Sequence, residues 1–184
     1  MSRRLFEEVS RVGFGERTVL EVGCGYGRTL AGALVGGARA VTGVELDPEA
    51  VVQAGERTAR AGHRDRCTLV VGDAAIIPLA MHDIVILDRV ICCYDDADGL
   101  VDRSVRAAGM VYAFSVPESR GLRGVWNRLA YGLEGAWDRL RGQPRSWLHD
   151  VERIHRRLAA DGFTRAVWGR EGKWYLAVYR RLQN

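Results

Sequence analysis

The stretch Val19-Leu20-Glu21-Val22-Gly23-Cys24-Gly25-Tyr26-Gly27 constrains the fold more than any other part of this 184-residue chain. A short apolar run ends in three glycines at alternate positions. Glycine is what a chain uses to turn tightly or to bring bare backbone against a ligand. Thr18–Val22 reads as a strand and 27–36 as a helix, so the glycines predict a strand-to-helix turn. In an open α/β sheet, ligands bind beyond the carboxyl ends of the strands, where strand order reverses.

The rest of the chain continues the alternation. Strands are expected at Ala40–Glu45, Cys67–Val71, 83–88 and 109–116, and helices at 47–61 and 98–107. Asp47-Pro48-Glu49 carries an N-cap, a proline at the first helical position and an acid in the first turn. A further helix is expected at 147–160. The strand-like runs 163–169 and 173–181, joined by Arg170-Glu171-Gly172, predict an antiparallel hairpin. The pattern is that of a Rossmann-like, doubly wound α/β fold: a mostly parallel seven-stranded sheet with a C-terminal antiparallel hairpin strand.

Composition narrows the class. A hydrophobic share of 47% and a charged share of 27% are those of one globular domain spanning 1–184. Cys24, Cys67, Cys92 and Cys93 follow neither metal-finger nor disulfide-framework spacing, so no metal is expected and a reduced, cytoplasmic setting is. The first residues are charged throughout and lack a signal-peptide h-region. No run approaches the roughly 18 apolar residues of a membrane span. The net charge of +4 is mild and excludes no partner.

Arg28 stands where a dinucleotide loop, G-x-G-x-x-G, has its last glycine. Glu21 lies two residues ahead of the first glycine. A carboxylate there suits a cofactor bearing a positive group rather than a pyrophosphate. S-adenosylmethionine carries an ammonium and a sulfonium and no phosphate. Three more acids close successive strands. Glu45 is placed to accept from both ribose hydroxyls, Asp73 from an adenine amino group, and Asp88 sits at the mouth of the same crevice. The alternative at each position is a solvated loop acid or a cap, and for the loop a turn without a ligand.

The segments VLEVGCGYG, VTGVELDP, VVGDAAIIPL and HDIVILDRVICCYDD, in this order, resemble the motifs of class I S-adenosylmethionine-dependent methyltransferases. LDRVICCYDD is similar to a segment of the bacterial magnesium-protoporphyrin O-methyltransferase-like group, with Asp95 in place of that group's proline. The resemblance implies that Glu21 and the backbone of Gly23, Cys24, Gly25, Tyr26 and Gly27 hold the methionine part. It implies that Glu45 takes the ribose, that Leu46, Asp73 and Ala74 flank the adenine, and that Asp88 and Arg89 lie near the methyl-donor end.

Displacement at a sulfonium carbon has a good leaving group, so alignment of donor and acceptor matters more than a catalytic triad. Candidates to orient or deprotonate an acceptor are Tyr94, Asp95 and His149, with His149 read more readily as a helix-start residue. Cys92 and Cys93 read as small buried hydrophobes. The stretch 118–145 repeats apolar residues at three- and four-residue steps between arginines. It is expected to be a helical insertion, as core, as a lid over the acceptor, or as a peripheral membrane contact. The expected reaction is methylation of a small-molecule acceptor, with oxygen favoured. An RNA methyltransferase and a non-catalytic S-adenosylmethionine-binding partner subunit are the alternatives. Nucleic acid ranks last among partners, because no recognised RNA-binding module accompanies the arginines. About 17 residues precede Thr18, so the cleft is expected to be open or covered by a homo-oligomer contact or a partner chain.

Overall fold

The structure, a computed structural model, describes residues 2–119, 121, 124, 126, 127 and 146–182. In chain order the elements are α1 (Arg3–Val12), β1 (Thr18–Val22), α2 (Arg28–Val35), β2 (Ala40–Glu45), α3 (Pro48–Arg60), β3 (Cys67–Val71), β4 (His82–Asp88) and α4 (Ala97–Arg106). They continue with β5 (Ala108–Pro117), α5 (Val151–Ala160), β6 (Phe163–Glu171) and β7 (Trp174–Arg181). Apart from residues 118, 119, 121, 124, 126 and 127, the helical insertion expected at 118–145 lies outside the described residues.

The strands form one seven-stranded sheet in the order β3-β2-β1-β4-β5-β7-β6. The first five strands in that row pair in parallel, while β7 pairs antiparallel with both β5 and β6. The expected architecture is therefore the observed one. Strand order reverses at β1, which lies between β2 and β4, so the loops after β1 and β4 leave in opposite directions and open a crevice.

Two boundaries differ from the expected ones by more than one residue. Helix α5 begins at Val151, not at 147, because the Asp150 side chain accepts from the Glu152 N–H and caps the helix there. The four residues before it run across the loop after β4, with Trp147 N–H donating to the Cys92 carbonyl at 2.6 Å. Strand β6 continues to Glu171, because Glu171 still pairs with Trp174 in the hairpin ladder and the turn is left to Gly172, at φ 60°.

Side chains alternate across a strand, and this sorts the core into two layers. Leu20 and Val22 face one layer with Val85, Leu87 and Phe114, under α4 and α5. Val19 faces the other, with Ile84, Ile86 and Leu30, under α1 and α2. Glu21 is two residues from Val19 and so points to the α1/α2 side of the sheet. Helix α1 buries Leu5 and Val9 on that layer, and Phe6 packs against Phe14 with ring centroids 5.7 Å apart. Among the described residues, no helix is long and apolar enough to cross a membrane.

Candidate functional site

Two cavities open at the carboxyl ends of β1, β2 and β4. One, of about 220 Å³, is lined by Val44, Glu45, Leu46, Ala74, Val90 and Tyr94 among others. The second, of about 230 Å³, is lined by Glu21, Cys24, Gly25, Tyr26, Arg28 and Thr29. Gly23 and Asp88 line both, so the two meet at the switch point.

The glycine loop is what leaves room for them. Gly23 N–H and Cys24 N–H both donate to the Val44 carbonyl, at 2.7 and 3.2 Å, which ties the loop to β2. Gly23 has φ 68°, and a Cβ on it would stand 2.3 Å from Val90 Cγ2. Only glycine meets both conditions there. Gly27 has a different job. It ends the loop at the start of α2, and a Cβ on it would stand 2.8 Å from Ala54 Cβ, so it permits α2 to pack on α3 and lines neither cavity.

Of the four expected carboxylates, Glu21, Glu45 and Asp88 line the cavities and Asp73 lines neither. Glu21 is buried, and its Oε2 has no hydrogen-bond partner. Burial pushes its carboxyl up to about 8, against a bond from the Thr29 side chain, with Asp88 and Glu45 adding repulsion. Glu45 serves as a latch: Oε2 accepts from Gly25 N–H at 2.8 Å, and Oε1 accepts from Leu46 N–H and Asp47 N–H at 2.7 and 3.2 Å. Asp73 Oδ1 accepts from Ala75 N–H and from the Tyr94 hydroxyl, both at 2.8 Å. Asp88 accepts from Ser2 N–H at 2.6 Å, Ser2 Oγ at 2.7 Å and Ser115 Oγ at 2.5 Å.

Arg89 follows with φ 61°, a left-handed conformation that is strained for arginine. Its N–H donates to Ser115 Oγ at 3.0 Å, its Nε donates to Ser2 Oγ at 3.3 Å, and its guanidinium lies 4.8 Å from the Trp174 ring centroid. Leu46 and Ala74 line the first cavity, Leu46 at 57% exposure and Ala74 buried.

Of the three acceptor-side candidates, only Tyr94 reaches the site. Burial and the Asp73 carboxylate hold its phenol above its ordinary range, so at neutral pH it is a hydrogen-bond donor and not a base. Asp95 and His149 line a separate, smaller pocket of about 120 Å³ with Asp96 and Arg153. His149 Nε2 lies 2.9 Å from the Tyr94 carbonyl, which holds the residues before α5 against the loop after β4.

Sequence reasoning did not find Ser2, Thr29, Ser115 or Cys93. Ser115 had a signal, a polar residue inside the apolar run of β5, and strand register puts it beside Asp88. Ser2 had none, because its place follows from how α1 docks. Cys92 is buried as expected, whereas Cys93 is exposed and lines the first cavity.

Glu45 and Gly25 carry a direct test of the loop. Glu45→Ala removes three acceptor contacts to backbone N–H groups and frees the glycine loop. S-adenosylhomocysteine should bind the variant at least tenfold more weakly, or about 1.4 kcal/mol, by titration calorimetry. Unchanged affinity would exclude Glu45 from the site.

Comparison with known proteins agrees with this fold. A family model described as a methyltransferase domain matches residues 19–108. No curated protein matches the sequence significantly. Among solved structures, the magnesium protoporphyrin IX methyltransferase from Synechocystis with bound SAH superposes with a TM-score of 0.76 at 19% identity, over 97% of this chain and 80% of that one. The cyclase SpnF superposes with a TM-score of 0.73 at 16% identity, over 97% and 80%. An O-methyltransferase family 2 protein from Planctomyces limnophilus, in complex with apigenin, gives 0.72 at 17% identity, over 96% of this chain and 56% of that one. At these identities the fold is what is shared. In its ordered motifs, its strand order and the methyltransferase-domain match over residues 19–108, the chain is similar to class I S-adenosylmethionine-dependent methyltransferases.

Proposed function

We propose that the protein transfers a methyl group from S-adenosylmethionine to a small-molecule acceptor, with oxygen as the accepting atom. The observation that carries the cofactor reading is Glu21 Oε2, a buried oxygen without a partner in a cavity floored by bare glycine backbone. A buried carboxylate with an unpartnered oxygen calls for a cation that also donates hydrogen bonds, and an ammonium is one. A pyrophosphate would meet Glu21, Glu45 and Asp88 and be repelled.

The sulfonium supplies the activated methyl group, and the chain's own residues supply placement. Glu21 would hold the ammonium, with the backbone of Gly23 to Tyr26 beside it. A carboxylate has about four lone-pair directions, so Glu45 keeps capacity for ribose hydroxyls beyond its backbone contacts. Leu46 and Ala74 would flank the adenine. Asp88, fixed by Ser2 and Ser115, would stand at the donor end with Arg89. None of these groups is poised as a general base, which suits an acceptor that is already ionised or needs only alignment.

Oxygen and a small molecule are favoured because solved structures of the same fold include a porphyrin methyltransferase and an O-methyltransferase in complex with apigenin. The same fold is also that of a cyclase, so turnover has to be measured. Titration with S-adenosylhomocysteine is expected to give one site that NAD does not displace; displacement by NAD would refute the cofactor reading. Incubation with methyl-labelled S-adenosylmethionine and fractionated cell extract should place label in the small-molecule fraction. Label in RNA, with binding that falls steeply with salt, would replace the small-molecule reading.

A further inference from the structure

Cys92 and Cys93 lie in the turn Ile91–Cys93, directly after β4 and Arg89. The turn folds both sulfurs back onto one atom: Cys92 Sγ lies 3.5 Å and Cys93 Sγ 3.7 Å from the Arg89 carbonyl oxygen. Cys92 is buried and Cys93 exposed, and Cys93 lines the same cavity as Glu45, Leu46 and Tyr94. The molecule therefore presents two convergent soft donors, one of them open to solvent, at the edge of the cavity read above as the adenosine site. Cys24 and Cys67 are both buried, so among the cysteines only this pair has an accessible member.

We propose that Cys92 and Cys93 form a dithiol site for trivalent arsenic compounds, and that its occupation closes the adjoining cavity. Two thiols held on one carbonyl match an element that takes two sulfur ligands from one side, and soft sulfur prefers such an acceptor to hard cations. With an organoarsenous oxide, R–As=O, the step balances without an oxidant. Two As–S bonds form, the As=O bond breaks, and the two thiol protons leave with the oxygen as water. Arsenic stays trivalent and both sulfurs stay thiolate-like. The neighbouring Cys92 thiol lowers Cys93 to about 7, so the outer sulfur is partly thiolate at neutral pH and starts the reaction. Its neighbour Cys93, with burial, pushes Cys92 up. Cys92 reacts second, once the first As–S bond holds the arsenic beside it.

The probe is phenylarsine oxide on the whole chain, read by intact mass and by calorimetry. The expected result is one arsenic per chain, released by 2,3-dimercaptopropanol but not by an equal concentration of glutathione. Cys93→Ser should abolish the adduct, and Cys92→Ala should leave at most an adduct that glutathione removes. No adduct on the native chain, release by glutathione, or an adduct that persists in Cys93→Ser would each overturn the proposal. The closure clause alone rests on the cofactor reading. S-adenosylhomocysteine should slow the reaction at least tenfold, and arsenic-loaded protein should bind it at least tenfold more weakly. A glutathione-resistant adduct without mutual exclusion would keep the dithiol site and refute the closure. Failure of S-adenosylhomocysteine to bind even the untreated chain would instead mark failure of the cofactor reading.

Discussion

Glu21→Gln should weaken S-adenosylhomocysteine binding at least thirtyfold at pH 8, about 2 kcal/mol, while making the ligand-free protein more stable. The opposite signs have one cause. Without ligand, the ionised side chain is buried with Oε2 unpartnered, which costs on the order of 1–3 kcal/mol. With the ligand's ammonium in place, the same charge is matched. The pH dependence follows from the raised carboxyl, 4.5 in the unfolded chain and about 8 in the folded one. Between those values the folded state holds a proton that the unfolded chain has released. Stability of the ligand-free protein therefore falls as pH rises from 4.5 to 8, by up to roughly 1.4 kcal/mol per unit, and levels off above 8. Binding of an ammonium ejects that proton, so affinity rises with pH over the same window by up to about tenfold per unit. Calorimetry in two buffers of different ionisation enthalpy measures the proton release directly. Glutamine should flatten both curves, and no proton release by the native chain at pH 7 would remove Glu21 from the ammonium's site.

Gly23→Ala should abolish measurable cofactor binding, a loss of at least a hundredfold. The alanine Cβ would stand 2.3 Å from Val90 Cγ2, with 3.3 Å to Cγ1, so the loop after β4 has to move. The left-handed φ of 68° adds roughly 1–2 kcal/mol of its own. Gly23 lines both cavities and its N–H holds the loop to Val44, so any adjustment is taken at the switch point. Gly25→Ala is the matched control. Its φ is 47° but no atom lies within 4 Å of the added Cβ, so it bears the backbone strain without the collision. Calorimetry with S-adenosylhomocysteine should rank the two, with Gly23→Ala the more damaging. Equal affinities would mean that the close approach of Val90 does not shape the site.

The strand positions, the parallel order implied by strand–helix alternation and the closing hairpin were legible, because periodicity in this chain is local and strong. The Asp47-Pro48 cap was legible for the same reason: Asp47 Oδ1 accepts from Glu49 N–H at 2.9 Å. The start of α5 was not, because the apolar residues at 147 and 148 continue a helical pattern while Asp150 two residues on imposes the cap. Glu45, Asp73 and Asp88 were legible as acids at the carboxyl end of the sheet, because each closes or closely follows a strand. What those carboxylates touch could not be found. Ser2 is 86 residues from Asp88, and Tyr94 is 21 from Asp73.

The sequence by itself determined the fold, the glycine turn and the acids that gather at one end of the sheet. Alternation and turn chemistry act over a few residues, and each leaves its mark in the order of amino acids. Only the tertiary structure decided that Glu21 is buried with Oε2 unpartnered, that Asp88 is held by Ser2 and Ser115, and that Cys93 faces the cavity while Asp95 and His149 do not. Those outcomes depend on which layer a strand faces and on how distant segments dock. They are set by packing between elements and cannot be read from any single stretch of chain.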